Sequence, residues 1–529
     1  MKKYFPLVLI LILGTLLRFY HNLDISLWHD EAFSALMIRY NWQEMFVRLG
    51  LDVHPPAYYV GLRLWHYIFG DTLFSLRGFS VFFGVGTIWA GWMFCKEAFK
   101  NEKAALWAAL LIAINPFQIL HFSTEARMYT FGAFFALLAG YFLVKALHTH
   151  TSMYRSKEQN MPNLPEEKQL KRLRFWSYAG FIISTIIIIY THYYLFFTAA
   201  ALGFYGLVYL YSHHEKSAKK YFPLFISYGL VFIAFLPWLK SFLFQYRQVQ
   251  AGYWISQMNI WSIPSTFWDM LLGFARDTAN PSTQFWLVVV LLFSLWMLFR
   301  FLRKTESPDK WLVVLLIAAP FGGAILFALL ARLKGSSSSV YLDRYFLFAS
   351  VYYSIALAVW LKEIKIKWLS VSLLIVYAAL NCVAYATYWK NLDVLSKPGM
   401  AAAAKFLQVN VEPKQRVFLG TSYEFFNYKY YSQTGFNIPT HPLLFTGGRS
   451  RASQMSHVEG VALLEDADLV PDFNQAVHSG DTVWLIWTYA FGSGKPQLPL
   501  NWVQIDQKEY PDVRPYVGAS VYVTEYKVN

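Results

Sequence analysis

Long apolar stretches, separated by short polar ones, run through most of the chain. A membrane-spanning helix needs about 20 predominantly apolar residues. On that scale the pattern predicts eleven spans, at residues 5–20, 79–95, 104–120, 130–147, 176–190, 195–211, 222–239, 285–302, 311–330, 345–361 and 368–388. We interpret the first as a retained anchor and not a cleaved signal, because no small-residue cleavage site follows it.

One apolar segment, residues 55–69, does not fit this series. At about 1.5 Å per residue it reaches only about 22 Å, short of a hydrocarbon core of roughly 30 Å. It also contains Arg63 and His66. Its bulky side chains recur with helical spacing, at Tyr58, Leu62, Trp65 and Phe69. The pattern predicts a helix that lies on the membrane surface.

The distribution of Lys and Arg then fixes the expected orientation. With residues 55–69 left out of the spans, the basic connections all fall on one side, at residues 96–103, 155–174, 216–220, 303–310 and 362–367. The positive-inside rule makes this side cytoplasmic, and the N-terminus with it. The outer face is then expected to carry everything after residue 388, together with Asp30, His54, Glu125, Arg127 and Arg344.

Residues 389–529 have a different character from the preceding membrane domain, residues 1–388. They carry Pro and Gly punctuation and short β-type runs at residues 416–419, 482–487 and 520–525. The segment is long enough to form a small core of its own. We predict an extracytoplasmic α/β domain.

Composition supports a membrane protein and argues against nucleic acid as a partner. The chain is 56% hydrophobic, 19% aromatic and 15% charged, whereas soluble domains average about 25% charged residues. The formal charge of +14 is explained by the loops of one membrane side. Both cysteines, Cys95 and Cys382, lie in apolar runs and fit no metal-binding spacing.

Two adjacent acids, Asp30 and Glu31, follow the first predicted span. A charge at mid-bilayer costs about 2.5 to 3.5 kcal/mol, so acids retained at a membrane edge indicate function. The alternative is structural: Asp30 would cap a helix and Glu31 would lie in its first turn. Local sequence does not decide between the two.

The other candidates also have two interpretations. Glu125 and Arg127 lie in a short outer turn, which fits a lipid-linked anion but also an interfacial ion pair. His54 precedes two prolines and could bind a ligand or start a helix. Arg344 lies on the outer side against the charge bias, and could bind a phosphate or pair with Asp343. His192, after the end of a span, is interpreted as interfacial.

Taken together, four motifs resemble a known family. They are Trp28-His29-Asp30-Glu31, His54-Pro55-Pro56-Ala57-Tyr58-Tyr59, Glu125-Ala126-Arg127-Met128-Tyr129 and Arg344-Tyr345. In order and spacing they resemble the membrane mannosyltransferases related to protein O-mannosyltransferases and to the aminoarabinose transferase of lipid A, the glycosyltransferase family 39 type. The resemblance covers residues 1–388. It implies the GT-C fold, an all-α polytopic membrane architecture of about eleven spans with outer-face juxtamembrane helices.

The resemblance also implies an activity: inverting transfer of a sugar, mannose or a related hexose, from a polyprenyl-phosphate donor to an acceptor hydroxyl. Asp30 matches the family's first-loop acid and is the expected base, which Glu31 would orient or whose pKa it would raise. Glu125 matches the second acid. Arg127, Arg344 and His54 are the expected donor-phosphate ligands, and a divalent metal held by Asp30, Glu125 and His54 is the other option. The expected substrate-lining residues are Tyr58, Tyr129 and Tyr345.

The chain departs from the family pattern at two points. Thr124 stands where relatives often carry an amide residue, and no Pro closely follows Arg344-Tyr345. The first departure puts the sugar contacts in doubt and the second affects only local helix geometry. The acceptor, whether protein, lipid or glycan, stays open.

Two other functions fit a basic, aromatic-rich membrane protein of the bacterial cytoplasmic membrane and cell envelope. A lipid-linked sugar transporter or flippase should carry charged or broken helices near mid-bilayer, and most predicted spans are clean there. A polysaccharide polymerase or ligase would use a diphosphate-linked donor and a large outer loop. Residues 240–284 are long enough to keep that alternative open.

Overall fold

The structure is a computed structural model of the chain. It describes residues 4–529 except 121–122, 160–166, 213–217, 252–254, 274–277, 334–338, 450–458 and 514–518.

Helices make up most of this structure. In chain order, α1 to α10 are Phe5–Phe19, His29–Met37, Trp42–Leu51, Ala57–Phe69, Leu73–Phe99, Glu102–Ile114, Pro116–Leu120, Tyr129–Gln159, Glu167–Ile189 and Leu195–Ser212. Helices α11 to α19 are Phe222–Phe235, Leu239–Ala251, Ser262–Leu272, Pro281–Lys304, Lys310–Leu333, Leu347–Glu363, Lys367–Leu392, Gly399–Asn410 and Ser422–Thr434. Strands β1 to β6 are Arg416–Leu419, Pro442–Phe445, Leu469–Val470, Thr482–Thr488, Trp502–Pro511 and Ser520–Val528.

The predicted membrane architecture is confirmed. Within the described ranges, nine helices are long and apolar enough to cross a membrane, and α1 is a shorter apolar helix. The predicted span 104–120 is divided at Asn115, which has extended backbone and separates α6 from α7. Asn115 precedes Pro116, and a residue before proline avoids helical backbone. The chain is therefore a multi-pass membrane protein.

The segment interpreted as a surface helix is α4, and it is not among the spanning candidates. It has 13 residues and ends at Gly70, whose positive φ of 77° suits a residue without a side chain. Trp65 anchors it by donating a hydrogen bond from Nε1 to the Ser75 carbonyl at 3.0 Å. One side of α4 thus packs against the first turns of α5.

Two of the basic connections, residues 96–103 and 303–310, lie together at the end of α5 that is remote from α4. There His148 Nε2 lies 2.9 Å from Asp309 Oδ2, and Ser307 donates a hydrogen bond to the Ala98 carbonyl at 2.7 Å. These contacts join the ends of α5 and α8 to the α14–α15 connection. Residues 160–166 and 213–217, within two predicted basic loops, lie outside the described residues.

The C-terminal part contains one six-stranded sheet, in the order β3-β2-β1-β4-β6-β5. The strands β1 to β4 pair in parallel, and β6 pairs antiparallel with both β4 and β5. Strands β1, β4 and β6 begin at the residues predicted from the sequence, whereas β2, β3 and β5 were not predicted. The sheet domain is the small α/β unit expected.

This sheet domain packs on the helices that follow the first span. Ser26 Oγ donates to the Pro398 carbonyl at 2.7 Å, and the Leu27 amide donates to the Tyr431 hydroxyl at 2.9 Å. Helix α19 packs against α2, where Phe426 meets the rings of His29 and Phe33. The domain is therefore held beside the segment that carries Asp30.

A buried acid makes the stability of this interface dependent on pH. Burial, with the nearby charge of Asp512, raises the pKa of Glu424 to about 8. An unfolded Glu titrates near pH 4.3, about as in peptides. Because the folded state holds its proton to higher pH, this contribution to stability is complete below about pH 4 and is lost as pH rises through about 8.

We therefore expect the apparent melting temperature to fall between pH 5 and pH 8, and Glu424→Gln to flatten that fall and raise the value at pH 8. Differential scanning fluorimetry of the detergent-solubilised full chain measures both. The exposed Glu412→Gln is the matched control and should keep the wild-type pH profile. An unchanged profile in Glu424→Gln would show that Glu424 is not the titrating group.

Candidate active site

Three side chains from separate segments meet beside the sheet domain: Asp30, His54 and Arg127. Arg127 Nη2 lies 3.3 Å from Asp30 Oδ2 and 3.4 Å from His54 Nε2. Its Nη1 donates to the backbone carbonyl of Asp30 at 3.4 Å. The Arg127 side chain is 5% exposed and that of Asp30 is 28% exposed. A second molecule can reach the carboxylate, while the guanidinium is fixed behind it.

Local structure explains the position of Asp30. Helix α2 begins at His29, its N-cap is Trp28, and no side chain caps it. Asp30 lies within the first turn, where a negative charge is favoured by the helix dipole. The interpretation of Asp30 as the capping residue is therefore wrong, although it does lie at the favourable end of the helix.

Glu31 points in a different direction from Asp30 and is fully buried. Arg77 binds it through two hydrogen bonds, from Nε to Oε1 and from Nη2 to Oε2, both 2.8 Å long. The same Oε1 accepts a hydrogen bond from the Ala126 amide at 2.9 Å. Glu31 thereby joins α2 to α5 and to the turn that carries Arg127. These contacts support a positioning role for Glu31.

Sequence reasoning missed Asp52, which lies behind His54. His54 Nδ1 is 2.8 Å from Asp52 Oδ2, and the Asp52 side chain is 7% exposed. A guanidinium can only donate, so His54 Nε2 accepts from Arg127 and Nδ1 carries the proton toward Asp52. Asp52 fixes the tautomer and orientation of the ring, as carboxylates do for other functional histidines.

Arg344 approaches the same region from the start of the α16 segment. Its guanidinium carbon lies 5.7 Å from the centre of the Trp28 ring, a cation–π arrangement. With the described part of the chain it forms no hydrogen bond or ion pair. Asp343 accepts a hydrogen bond from Thr266 at 2.9 Å. The guanidinium donors of Arg344 thus have no acceptor among the described residues.

The predicted aromatic residues are all buried around these groups. Tyr58 is 0% exposed, Tyr129 2% and Tyr345 7%. His192, interpreted from the sequence as interfacial, lies among them: its ring centre is 4.7 Å from that of Tyr345 and 6.5 Å from that of His54. Burial is the main cause of a pKa of His192 well below its ordinary value, so the ring is neutral. His192 belongs to the site.

The electrostatics of the site keep Asp30 ionised. Burial acts to raise the pKa of Asp30, but the nearby charges, Arg127 first and then His29 and Arg344, outweigh it, and the pKa lies below its ordinary value. The rise expected from Glu31 is not found, because Arg77 neutralises Glu31. Glu125 is also buried and its charge acts on Arg344.

The site does not fit the metal suggested by the resemblance. Among the described residues no three His, Cys, Asp or Glu side chains form a group that could hold a metal ion, so Asp30, Glu125 and His54 are not assembled as ligands. Arg127 already lies between Asp30 and His54. A divalent cation there would meet a fixed positive charge.

An apolar cavity of about 220 Å³ opens next to His54 and His192. Its other walls are mainly aromatic and aliphatic side chains from the ends of α10, α12 and α15 and from the segment before α16, including Phe196, Phe242, Phe327 and Val340. A mainly apolar cavity beside the charged groups of the site suits an amphipathic ligand.

Removing Arg127 is expected to shift the pH dependence of the site. In Arg127→Met, burial of Asp30 is no longer offset by its nearest cation, so the pKa of Asp30 rises. As the pH is lowered, any activity that needs the ionised carboxylate is then lost at a higher pH in the variant than in the wild type. The acid limb of kcat/KM, measured for the residual activity from pH 3 to pH 8, should move upward. Arg48→Met, which removes an arginine remote from Asp30, is the control. If the acid limb of kcat/KM in Arg127→Met stays at its wild-type pH, Asp30 is excluded as the group that titrates.

The comparisons with known proteins agree with the predicted enzyme class. Residues 53–155 match the family model described as dolichyl-phosphate-mannose-protein mannosyltransferase. That range includes His54 and the motif from Glu125 to Tyr129. It does not include Asp30, Asp52 or Arg344. No curated protein sequence matches the chain significantly. The match confirms the resemblance inferred from the motifs and the glycosyltransferase class of enzyme.

Three solved structures are similar in architecture. ArnT from Cupriavidus metallidurans, bound to undecaprenyl phosphate, is 13% identical over 98% of this chain and 97% of that chain, with a TM-score of 0.48. AglB from Archaeoglobus fulgidus, with an inhibitory peptide and a dolichol-phosphate, is 12% identical over 93% and 70%, with a TM-score of 0.43. The Pmt1-Pmt2 complex of S. cerevisiae, bound to the sugar donor, is 17% identical over 46% of this chain and 34% of that chain, with a TM-score of 0.34. Below 0.5 these likenesses add nothing to the assignment.

Proposed function

We propose that this chain is an inverting glycosyltransferase that moves a hexose, with mannose as the first candidate, from a polyprenyl-phosphate donor to an acceptor hydroxyl. One observation carries the proposal: an accessible, ionised Asp30 lies against a buried Arg127, with the uncommitted Arg344 acting on the same carboxylate. The reaction needs a base for the acceptor and a cation for the leaving phosphate, and both lie here.

The chemistry follows from these two charges. The acceptor oxygen forms a bond to the anomeric carbon as the bond from that carbon to the phosphate oxygen breaks. Asp30 takes the proton of the acceptor hydroxyl, a contribution of about 10² to 10⁴ in rate. The leaving group departs as a phosphate, so it needs no proton but a positive charge. No protein nucleophile is required, and the configuration inverts.

The two arginines of the site, Arg127 and Arg344, have separate roles in the proposed reaction. Arg127 is engaged by Asp30 and His54, so we assign it to holding the base in place. Arg344 has no hydrogen-bond acceptor in the part of the chain that the structure describes, and it is our choice for the donor phosphate, which its planar fork can bind through two hydrogen bonds. His54 lines the apolar cavity, and we assign it as the second group beside the donor phosphate.

The apolar cavity supports a lipid-linked donor over a soluble one. A polyprenyl chain gains about 25 cal/mol for each Å² of apolar surface removed from water. The cavity walls, which are mainly aromatic and aliphatic, offer that burial beside His54. We place the first isoprene units against Phe196 and Phe242.

We place the site at the outer face of a bacterial cytoplasmic membrane. The proposal is supported by the Lys and Arg of residues 96–103 and 303–310, which lie together at the end of α5 remote from α4 and which the positive-inside rule would assign to the cytoplasm. The C-terminal sheet domain is then extracytoplasmic.

The test uses purified full-length protein in nanodiscs and a radiolabelled polyprenyl-phosphate mannose. We expect release of polyprenyl phosphate that depends on added cell-envelope extract as the source of acceptor. Polyprenyl-phosphate glucose and a polyprenyl-diphosphate sugar are assayed in parallel. Arg344→Met should weaken donor use, and Arg332→Met, on the neighbouring helix, is the control for a lost arginine.

Two results would overturn the proposal. Turnover of the diphosphate donor alone would assign the chain to the polymerase or ligase class. Movement of the intact lipid-linked sugar across the bilayer without cleavage, measured by protection from an external glycosidase, would assign it to the transporter class.

A further inference from the structure

The sheet domain contains a second cavity, of about 520 Å³, that the proposed reaction does not use. It lies where the parallel strands end: Gly420 to Tyr423 follow β1, Thr446 and Gly447 follow β2, and Gly492 to Gly494 come shortly after β4. We call this cavity the sheet crevice. Parallel strands present their carboxyl ends at one edge, so three separate loops meet there.

The position within the sheet is one that binds ligands in other open α/β sheets. From β1 the chain moves to β2 and β3 on one side, and it then resumes with β4 on the opposite side of β1. The order of strands therefore reverses at β1. The crevice outside the carboxyl ends at such a switch point is the usual ligand position.

The lining of the sheet crevice is rich in hydroxyl groups. Thr421, Ser422, Thr446 and Ser493 all contribute, beside the ring of Tyr423. Thr446 is 4% exposed, and its hydroxyl has no hydrogen-bond partner in the described structure. A buried hydroxyl without a partner is costly, and a ligand that supplies the missing group would offset that cost.

The charge of the crevice is balanced. Its cation, Arg449, lies 2.8 Å from Glu459, which also lines the crevice. A site for an anion would leave its arginine free, whereas this pair presents both donors and acceptors to a neutral ligand. Hydroxyl groups, which donate and accept, match such a lining.

Tyr423 connects the sheet crevice with the reaction site. It lines the crevice, and its ring centre lies 5.3 Å from that of His29, the residue before Asp30. A ligand that occupies the crevice and extends past Tyr423 therefore approaches the base.

From this arrangement we infer that the sheet crevice binds a saccharide of the acceptor, and that the acceptor is a glycan. The inference rests on the proposed function and names the acceptor class that it left open. A saccharide held by the hydroxyl-lined crevice would present a further hydroxyl past Tyr423 toward Asp30. The sheet domain then selects the acceptor, while the helices bind the donor.

Gly494 offers a way to block the crevice without straining the backbone. Its φ is not positive, and a Cβ there would meet only Tyr489 atoms, at 3.8 Å and beyond. Gly494→Phe should fill the crevice, and Gly494→Ala is the matched control. Thr446→Val removes the unpartnered hydroxyl at nearly constant volume.

The first experiment measures binding alone. Full-length protein in nanodiscs is applied to a glycan array of neutral hexose, N-acetylhexosamine and uronic-acid oligosaccharides, with serine- and threonine-rich peptides on the same surface. We expect wild type, Asp30→Asn and Gly494→Ala to bind the same glycans, and Gly494→Phe and Thr446→Val to bind them at least tenfold more weakly. Binding only to peptides, no glycan binding, or equal binding by Gly494→Phe would overturn the inference.

The second experiment separates this inference from the proposed reaction. Donor turnover in the absence of acceptor, a slow hydrolysis, should be the same in Gly494→Phe and wild type, while the KM for the glycan found on the array rises at least tenfold. Loss of hydrolysis in Gly494→Phe, with its KM for the glycan unchanged, would overturn the assignment of the crevice. A chain that binds glycans but never cleaves the donor would instead contradict the proposed function.

Discussion

Asp30→Asn is expected to lower the rate of sugar transfer by about 10² to 10⁴, the usual contribution of a general base. The amide keeps the size of the carboxylate and its place in the first turn of α2, but it cannot accept the proton. The effect should appear in kcat and not in the KM for the donor, because Arg344 and the apolar cavity are unchanged. Initial rates with radiolabelled donor in nanodiscs measure both quantities.

A matched acid in the same loop serves as the control. Asp24 is 44% exposed and pairs with His21 at 2.6 Å, so Asp24→Asn changes a carboxylate without touching the site. Asp30→Glu, which keeps a carboxylate at a shifted position, should retain part of the activity. Wild-type kcat in Asp30→Asn, with an unaltered melting temperature, would exclude Asp30 as the base.

The membrane architecture could be predicted from the sequence because it depends on local properties. Length and hydropathy of a single segment decide whether it spans, and the charge of its flanks decides its direction. The 13-residue α4 was separated from the spans on those grounds alone. What the sequence did not reveal was the break at Asn115, where Pro116 interrupts an apolar run that is otherwise continuous.

The candidate site was only partly predictable, since pairing between segments is a property of the tertiary structure. Asp30, His54 and Arg127 were found through motifs, but the partners Asp52 and Arg77 were not. Arg77 could have been found by the argument already applied to Arg344: it is an arginine at the end of a span that the charge distribution predicts to be outer, against the positive-inside bias. That signal marks cations retained for a specific contact.

The motifs gave the two adjacent acids separate expected roles, but the sequence did not show what each side chain contacts. Asp30 and Glu31 point about 100° apart around a helix, as successive residues do. One therefore faces the accessible site and the other the packed interior between α2 and α5. The different roles that we propose follow from that geometry, with Glu31 as an organiser of the site and Asp30 as its reactive group.

Arg77→Met is accordingly expected to be the most destabilising single change near the site. Both Arg77 and Glu31 are fully buried, and removing one partner of a buried pair costs about 3 to 5 kcal/mol. Arg77 also donates to the carbonyls of Asn22, Ile25 and Ser26, so its loss releases the loop that leads into α2. Thermal unfolding of the solubilised chain, followed by tryptophan fluorescence, measures the loss.

The double variant Glu31→Gln/Arg77→Met tests whether the pair itself is responsible. With the buried negative charge also removed, part of the lost stability should return relative to the sum of the two single changes. Recovery should be incomplete, because the three backbone carbonyls remain without their partner, whereas the glutamine oxygen can still accept from the Ala126 amide. If the changes in the free energy of unfolding of the two single variants add strictly in the double variant, Arg77 acts through the loop carbonyls alone. Glu31 would then not position Asp30 through its pair with Arg77.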